Sequence, residues 1–423
     1  MQRPLDNGPE EVFHLMSLEF EITDVRDLTS VERVWRDLET RADASVFQSW
    51  EWIGSWAGLV KSESLLLLTG RAGRVTVLLG LVVPSIRRDV RIWSTPGIRL
   101  HTTGHEGQDV ITIEYNGFLV DRNWAETAET QAITFLTSGI SLAGVRRDEL
   151  HLRGVADSYE KLKPPGVMTT MISRRPSWRI DLDSVRESGR PYLDHLSANT
   201  RQQIRRSIRL YEKRGKLEAS WAKDVPEAMR FLGGLKELHQ QYWNARGEPG
   251  GFAYPFFEKF VRRLIEHCVP HGTVELVRVS CGADPIGYVF NLQFRGHIYA
   301  YQTGLLYEDD PKLKPGLVSH YLCIEQHLRE GARVYDFMAG DARYKANLGQ
   351  PGPDMVYMLV ARPTIALKVE NALRDLKHRI DHWRGHDQPP PAPRPAHPRS
   401  PNPEHPQPPA SVETPSPRRE AAE

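Results

Sequence analysis

Cysteine is scarce: Cys268, Cys281 and Cys323 are odd in number and far apart. They exclude a disulfide framework and fit a reducing, cytoplasmic setting. Long hydrophobic runs are missing as well. The longest, residues 64–69 and 75–84, fall well short of the roughly 20 residues a spanning helix needs. Gly or Pro bounds both, so they are expected as buried strands, and no stable membrane insertion is expected. The first 18 residues carry Arg3, Asp6, Glu10 and Glu11 without an apolar core, which is not the pattern of a secretory leader. Met16 stands as an alternative start, because ordered-looking sequence begins at Leu18. Nor does one charge dominate: 55 Lys+Arg against 54 Asp+Glu leave a net charge of +1. That excludes a global basic or acidic field for a polyelectrolyte partner. His267, Cys268 and His271 lie close together, but no second ligand pair stands at a metal-site spacing. The group is expected to be a helix end, and no metal is expected.

What is present is an ordinary globular complement. At 423 residues the chain exceeds one typical domain, so two compact units are expected. The apolar share of 40% and the aromatic share of 9% are those of a folded protein. In the first unit, residues 18–25 alternate as a strand. Val31, Val34, Trp35 and Leu38 mark a helix over 31–41, and 47–59 read as an aromatic-rich helix. Strands 65–70 and 75–84 flank a turn in which Gly73 supplies the positive φ of a tight hairpin. A loop rich in Gly, Thr and His (93–109), a helix (125–139) and a strand (149–153) complete an α+β unit with an antiparallel sheet.

The second unit shows the same element order, without a sequence repeat. Strand 178–182, helix 192–213 and strand 217–222 lead into helices 225–244 and 255–268. Strands 273–281, 285–294 and 297–305 follow, the last pair joined by an Arg295-Gly296 hairpin turn. Leu317, Tyr321, Ile324 and Leu328 stripe a helix over 315–330 that ends at Gly331, and 334–338 is a final core strand. The expected organisation is a flexible 1–17, domains at 18–177 and 178–362, an amphipathic helix at 363–386 and a disordered Pro-rich tail at 387–423. Val369, Leu373, Leu376, Ile380 and Trp383 form a seam of about two heptads, too short to stand alone. It is expected to dock on the body, with dimer or membrane-surface contact as the alternative. The tail lacks the apolar bulk to offset its ordering entropy.

Four stretches carry a family resemblance. Phe47-Gln48-Ser49-Trp50-Glu51-Trp52 resembles the phenylalanine-glutamine-serine-x-x-tryptophan opening of CelD-like proteins. Residues 196–215 (LSANTRQQIRRSIRLYEKRG) are similar to an Arg-rich helix that follows the first strand of the second domain. Residues 286–316 read as a hairpin followed by a helix opened by Pro-Gly. Residues 335–349 (YDFMAGDARYKANLG) resemble a strand, Asp-Phe, Gly-Asp and aromatic-Lys pattern ending before Gly. Together they make the chain similar to the FemABX/CelD branch of the GNAT acyltransferase superfamily. The resemblance implies two GNAT-like domains in tandem, with mostly antiparallel sheets flanked by helices. It also implies acyl transfer from acetyl-CoA, or another activated acyl donor, to an amine or hydroxyl.

Such a reaction needs an oxyanion stabiliser, and the backbone N–H groups of a central strand supply one. Strand segments 287–292 and 299–304 are the candidates. The donor's pyrophosphate suits a helix N-terminus, here Lys312, Lys314, Gly316 and Leu317. Ordinary GNAT enzymes have a longer glycine-rich loop there. The single glycine of this chain leaves room for another donor, such as aminoacyl-tRNA. Arg205 and Arg209 lie on the helix that also carries Arg201, Arg206, Lys213, Arg214 and Lys216 against Glu212 alone, and are further candidates for an anionic donor. Asp341 is the candidate proton acceptor. Lys345, the Lys of the aromatic-Lys pattern, would orient an acyl or carboxylate group, with Tyr344 beside it. His320 is a candidate base, whereas Asp336, inside the strand, is expected to fix neighbouring backbone. Tyr301, Gln302, Trp243, Arg246 and Arg343 are candidate acceptor contacts, and 101–109 is a candidate covering loop. The leading expectation is an acetyltransferase acting on a carbohydrate or cell-envelope precursor. An aminoacyl-tRNA-dependent enzyme and a non-catalytic accessory protein of polysaccharide synthesis are the alternatives.

Overall fold

In the computed structural model, residues 17–60, 65–87, 95–139 and 149–363 are described. The expected helix at 363–386 lies outside them but for its first residue, as do the tail and almost all of the expected flexible N-terminus. Strand β1 (Glu19–Asp24) is followed by helices α1 (Leu28–Glu39) and α2 (Trp50–Ala57). Asp27 starts α1 by accepting from the N–H groups of Thr29 and Ser30 at 3.0 and 2.9 Å, which satisfies two donors a helix start leaves open. Strands β2 (Leu66–Ala72), β3 (Val75–Arg87) and β4 (Thr95–Leu100) come next. After them stand the short α3 (Glu106–Asp109), β5 (Leu119–Val120), α4 (Ala125–Leu136), β6 (Glu149–Ala156) and β7 (Met168–Arg175).

Pro176 carries the chain into a second set of elements. These open with β8 (Ser177–Asp181), α5 (Leu182–Glu187), α6 (Ala198–Glu212) and β9 (Leu217–Trp221). Two long helices, α7 (Val225–Asn244) and α8 (Pro255–Cys268), precede the meander β10 (Val274–Cys281), β11 (Asp284–Phe294) and β12 (His297–Leu305). Helix α9 (Pro315–Glu330), strand β13 (Val334–Ala339) and α10 (Arg343–Leu348) follow, then β14 (Gln350–Pro351) and β15 (Met355–Ala361). The β11–β12 turn has Arg295 at φ 49° and Gly296 at φ 76°, the left-handed pair a two-residue hairpin requires.

The first sheet runs β1-β2-β3-β4-β6-β15-β7, with β5 on β3, and the second runs β14-β8-β13-β12-β11-β10-β9. Both are mostly antiparallel, with β4–β6 and β12–β13 as parallel pairs. Residues 178–362 contribute to both sheets, because β15 crosses back and sits between β6 and β7 of the first sheet. Its continuous apolar run, Met355 to Ala361, suits a strand buried on both faces.

The second sheet buries a different core on each face. Toward α6 and α9 it packs Val277, Val289, Ile324, Tyr335 and Phe337. Toward α7 and α8 it packs Phe257, Phe260, Phe290, Tyr299, Tyr301 and Met338, in one cluster with Trp35, Phe47, Trp52 and Trp56 of the first half. The two halves therefore share a core. Trp52 meets the rings of Phe260 and Tyr301 at 4.8 and 5.4 Å. The guanidinium of Arg295 donates to the carbonyls of Ala42 and Glu39 at 2.6 and 2.5 Å.

Candidate active site

The candidate region begins where two strands part. β12 and β13 pair only through His297, Ile298 and Tyr299 against Val334, Tyr335 and Asp336. Beyond that point β13 turns away. The carboxylate of Asp336 accepts from the N–H of Met338 at 2.6 Å, and Met338 sits at φ 62°, a left-handed conformation costly for a long side chain. The strand rejoins β8 at Ala339 and Ser177 after a register shift. On the other strand a bulge opposite Phe290 and Asn291 leaves Tyr301 unpaired with β11. The result is a gap beside residues 300–305, whose edge toward β13 is used by no other described strand. An open strand edge can pair with an extended amide-bearing ligand, and its N–H groups can face a developing oxyanion.

Helix α10 stands at the mouth of this gap, where β13 leaves β12, its Lys345 bonded to Ala339. Gly340 and exposed Asp341 lead into it; Tyr344 packs on the α6/α9 core, and Lys345 faces Glu114. Lys345 Nζ donates to the carbonyl of Ala339 at 2.7 Å and lies 3.4 Å from that of Met338. Burial pulls its pKa down to about 8; Glu114 opposes the shift, Arg175 adds to it, and Asp336 and Asp341 oppose it. On the α9 face the Tyr344 ring stacks on His320 at 5.4 Å. Burial, then the nearby Tyr242, pushes the Tyr344 phenol up. Tyr242 stands on α7 one turn before Arg246, which donates to its hydroxyl at 2.9 Å, and packs against Tyr307 at 5.2 Å. The end of α7 thus borders the same mouth.

The first half also reaches this region. Glu114 Oε2 accepts from the N–H of Ala339 at 2.7 Å. The Tyr115 hydroxyl donates to Asp336 at 2.6 Å, and His297 Nε2 lies 3.1 Å from the same carboxylate oxygen. Asp336 and Glu114 are buried; desolvation pushes the Glu114 carboxyl up, against the Ala339 N–H that favours its charged form. The segment that delivers these groups is strained: His101, Thr112 and Tyr115 have φ of 51°, 50° and 48°. Sequence reading missed Glu114, Tyr115, Arg175 and Tyr242. Tyr115 and Asp336 are 221 positions apart, so no local spacing could have paired them. The expectation that Asp336 fixes backbone agrees with its bond to Met338.

The other candidate residues are spread over α6, α7, α9, α10 and β12. His320 is fully buried, its Nδ1 3.0 Å from the Tyr335 hydroxyl. Burial, and then Lys345, pulls its pKa down to about 3, so it stays neutral and is not a base at the surface. Tyr301 is a core residue whose hydroxyl donates to the Ile111 carbonyl at 2.7 Å. Leu317 is buried in the α6/α9 core. Trp243 spends its indole N–H on His239 at 3.0 Å. At the start of α9, Lys314 is buried and its backbone N–H donates to Ser207 of α6 at 2.9 Å. Lys312 is exposed and Gly316 half-buried. Arg205 and Arg209 are exposed on α6, Arg205 lying 4.0 Å from Asp194. Gln302 is half-buried beside the gap, and Arg343 is exposed at the first turn of α10. The loop 101–109 does not lie free: the Asp109 carboxylate accepts from the N–H groups of Thr103 and Gly104 at 2.8 and 2.9 Å.

A cleft of about 420 Å³ opens near the C-terminal end of β12, lined among others by Leu238, Tyr288, Leu306, Glu237, Asp284 and Glu308. Among the described residues no three His, Cys, Asp or Glu side chains are grouped to hold a metal, and no helix is long and apolar enough to cross a membrane.

Residues 198–346 match the family model described as an acetyltransferase (GNAT) domain. That span contains α6 through most of α10, and hence the parted strands. No curated protein matches the chain in sequence. Among solved structures, FemX is 11% identical and superposes with a TM-score of 0.51 over 79% of this chain and 96% of its own. A tandem GNAT protein from the clavulanic acid biosynthesis pathway is 14% identical, with a TM-score of 0.44 over 82% of this chain and 98% of its own. L-PGS from Bacillus licheniformis is 10% identical, with a TM-score of 0.44 over 81% and 94%.

Proposed function

We propose, from the premise that this chain is a GNAT-superfamily protein with a FemX-like fold, that it transfers an acyl group at the parting of β12 and β13. The observation that carries this reading is the short parallel pairing, which ends at Tyr299 and Asp336 and leaves a strand edge open inside the GNAT segment. An extended donor would pair with residues 300–305 and bring its acyl carbonyl to the backbone N–H groups there. Exposed Asp341 is the proposed proton acceptor for an amine or hydroxyl nucleophile. The Lys345 ammonium, held at the mouth by two backbone carbonyls, is proposed to orient the acyl or acceptor group. Gln302, Tyr344 and Arg343 are the proposed neighbours of the acceptor. The nucleophile bonds to the acyl carbon, the donor's thiolate or ribose hydroxylate leaves, and the nucleophile's proton passes to Asp341.

Acetyl-CoA is the first donor to test, with a carbohydrate or cell-envelope precursor as acceptor and the cytoplasm as setting. A second reading, transfer of an aminoacyl group from tRNA, draws on a specific feature. The start of α9 is walled by α6, with Lys314 buried and its N–H committed to Ser207. The neighbouring cleft is lined by Glu237, Asp284 and Glu308 with Arg214 as the one cation among its lining residues, itself paired to Glu308 at 2.6 Å, so its balance is acidic and disfavours phosphate. The diphosphate of CoA would therefore have to lie toward exposed Lys312, Arg205 and Arg209 instead of against the helix start. Calorimetric titration with acetyl-CoA and CoA separates the two readings. Saturable heat supports the thioester. None at millimolar ligand removes it, and the aminoacyl reading then requires activity that RNase abolishes and binding that weakens steeply with salt.

A further inference from the structure

The first half of the chain offers more than a packing surface, because its strained segment ends inside the proposed site. We propose that Glu114 is a positioning residue of that site: its carboxylate anchors the departed end of β13 and thereby sets where the Lys345 ammonium stands. This rests on the acyl-transfer reading for its purpose, although not for its test.

The geometry is a grip on one residue from two sides. Glu114 Oε2 takes the N–H of Ala339 at 2.7 Å, and Lys345 Nζ takes the carbonyl of the same residue at 2.7 Å. In a continuous sheet that N–H would bond a neighbouring strand. Here β13 has left β12, and a side chain 225 positions away supplies the acceptor. Next to it, the Tyr115 hydroxyl bonds Asp336, whose other oxygen bonds the N–H of Met338. Two residues in left-handed conformation, Tyr115 and Met338, thus meet at one buried carboxylate. Strain of this kind persists only where surrounding contacts over-determine it, and such places cluster at working sites. A packing role alone would need neither a buried carboxylate nor two strained residues, since apolar side chains would cover the strand at lower desolvation cost.

The charged groups that act on Lys345 are Glu114 of the first-half segment, Arg175 at the end of β7, Asp336 of β13 and Asp341 of the loop before α10; His320 on α9 is titratable but neutral. Of the carboxylates, Glu114 acts most strongly to keep the ammonium protonated. Replacing it with a neutral group of the same shape therefore makes Lys345 lose its proton at lower pH.

The test is residue-resolved labelling of the full chain with acetic anhydride, read by mass spectrometry at Lys345 between pH 6 and 10. It needs neither donor nor acceptor, so a failed search for enzymatic activity does not affect it. In the unaltered protein the labelling midpoint is expected near 8. In Glu114→Gln it is expected to fall by at least about half a unit, which raises labelling at pH 7 about threefold through the larger free-amine fraction. Glu114→Asp keeps the charge but shortens the arm. It is expected to leave the midpoint close to the original and to speed amide hydrogen exchange across 337–345. A Lys345 midpoint unmoved in Glu114→Gln, with exchange in 337–345 also unchanged in Glu114→Asp, would overturn the proposal. If Glu114→Gln does not fold, the exchange measurement on Glu114→Asp decides alone: unchanged protection of that segment refutes the grip.

Discussion

At the residue scale the site turns on a few side chains whose surroundings differ sharply. Lys345 is half-buried, holds two backbone carbonyls and titrates near 8. If its ammonium orients the reacting groups, activity falls as pH rises through about 8, because the proton is lost there. Lys345→Met is expected to lower kcat/KM about 100-fold and to remove that alkaline limb, as read from a pH–rate profile. His320 behaves in the opposite way. Burial keeps it neutral, with its proton taken up only near pH 3. His320→Phe keeps the ring stack on Tyr344 while losing the contact with the Tyr335 hydroxyl. Denaturant unfolding is expected to show a loss of about 1 kcal/mol, with no change in the pH–rate profile near neutrality. A His in a helix that follows Pro-Gly looks in sequence like a base; only the packing reveals that no solvent reaches it.

At the scale of elements, what positions the site is the contact of α7 with β12. Gly304 lies where the backbone of Leu235 crosses the strand, and a Cβ added there would stand 2.3 Å from the Leu235 carbonyl oxygen. Gly304→Ala therefore forces α7 and β12 apart. It is expected to cost about 1–3 kcal/mol by chemical denaturation and to shift Tyr242 at the mouth, raising KM more than it lowers kcat. Most elements here were legible in the sequence. The hairpin at Arg295-Gly296, the stripe of α9 and its Gly331 end follow from short-range chemistry, and the structure has them. Strands β4, β7 and β15 were not legible. Residues 95–100 carry Pro96 and Gly97, and 168–175 is an exposed edge of Thr, Ser and Arg with Met171 and Ile172 outward. Residues 355–361 read as apolar, but nothing local says that they pair in the first sheet. Likewise Asp341, Tyr344 and Lys345 stand out as candidates in the sequence because they lie within five positions of one another. Glu114 and Tyr115 do not, because only the fold brings them to β13.

At the scale of the whole molecule, the two halves are bound by an aromatic core, and the parted strand is braced from the first half. Trp52, buried among Phe47, Phe260 and Tyr301, belongs to neither half alone. Trp52→Ala is expected to cost about 3–5 kcal/mol. It is expected to lower one common unfolding transition of both halves, seen as coincident near-ultraviolet and far-ultraviolet circular dichroism melts. Two separated transitions would mean that the shared core does not couple them. The proposed reaction requires an acyl donor to lie between β12 and β13. Amide hydrogen exchange on the full chain, with and without saturating donor, tests it most directly. Slowed exchange confined to residues 300–305 and 337–348 is the expected result. Donor binding that protects neither segment, or that protects only the cleft around Tyr288 and Leu306, would contradict it.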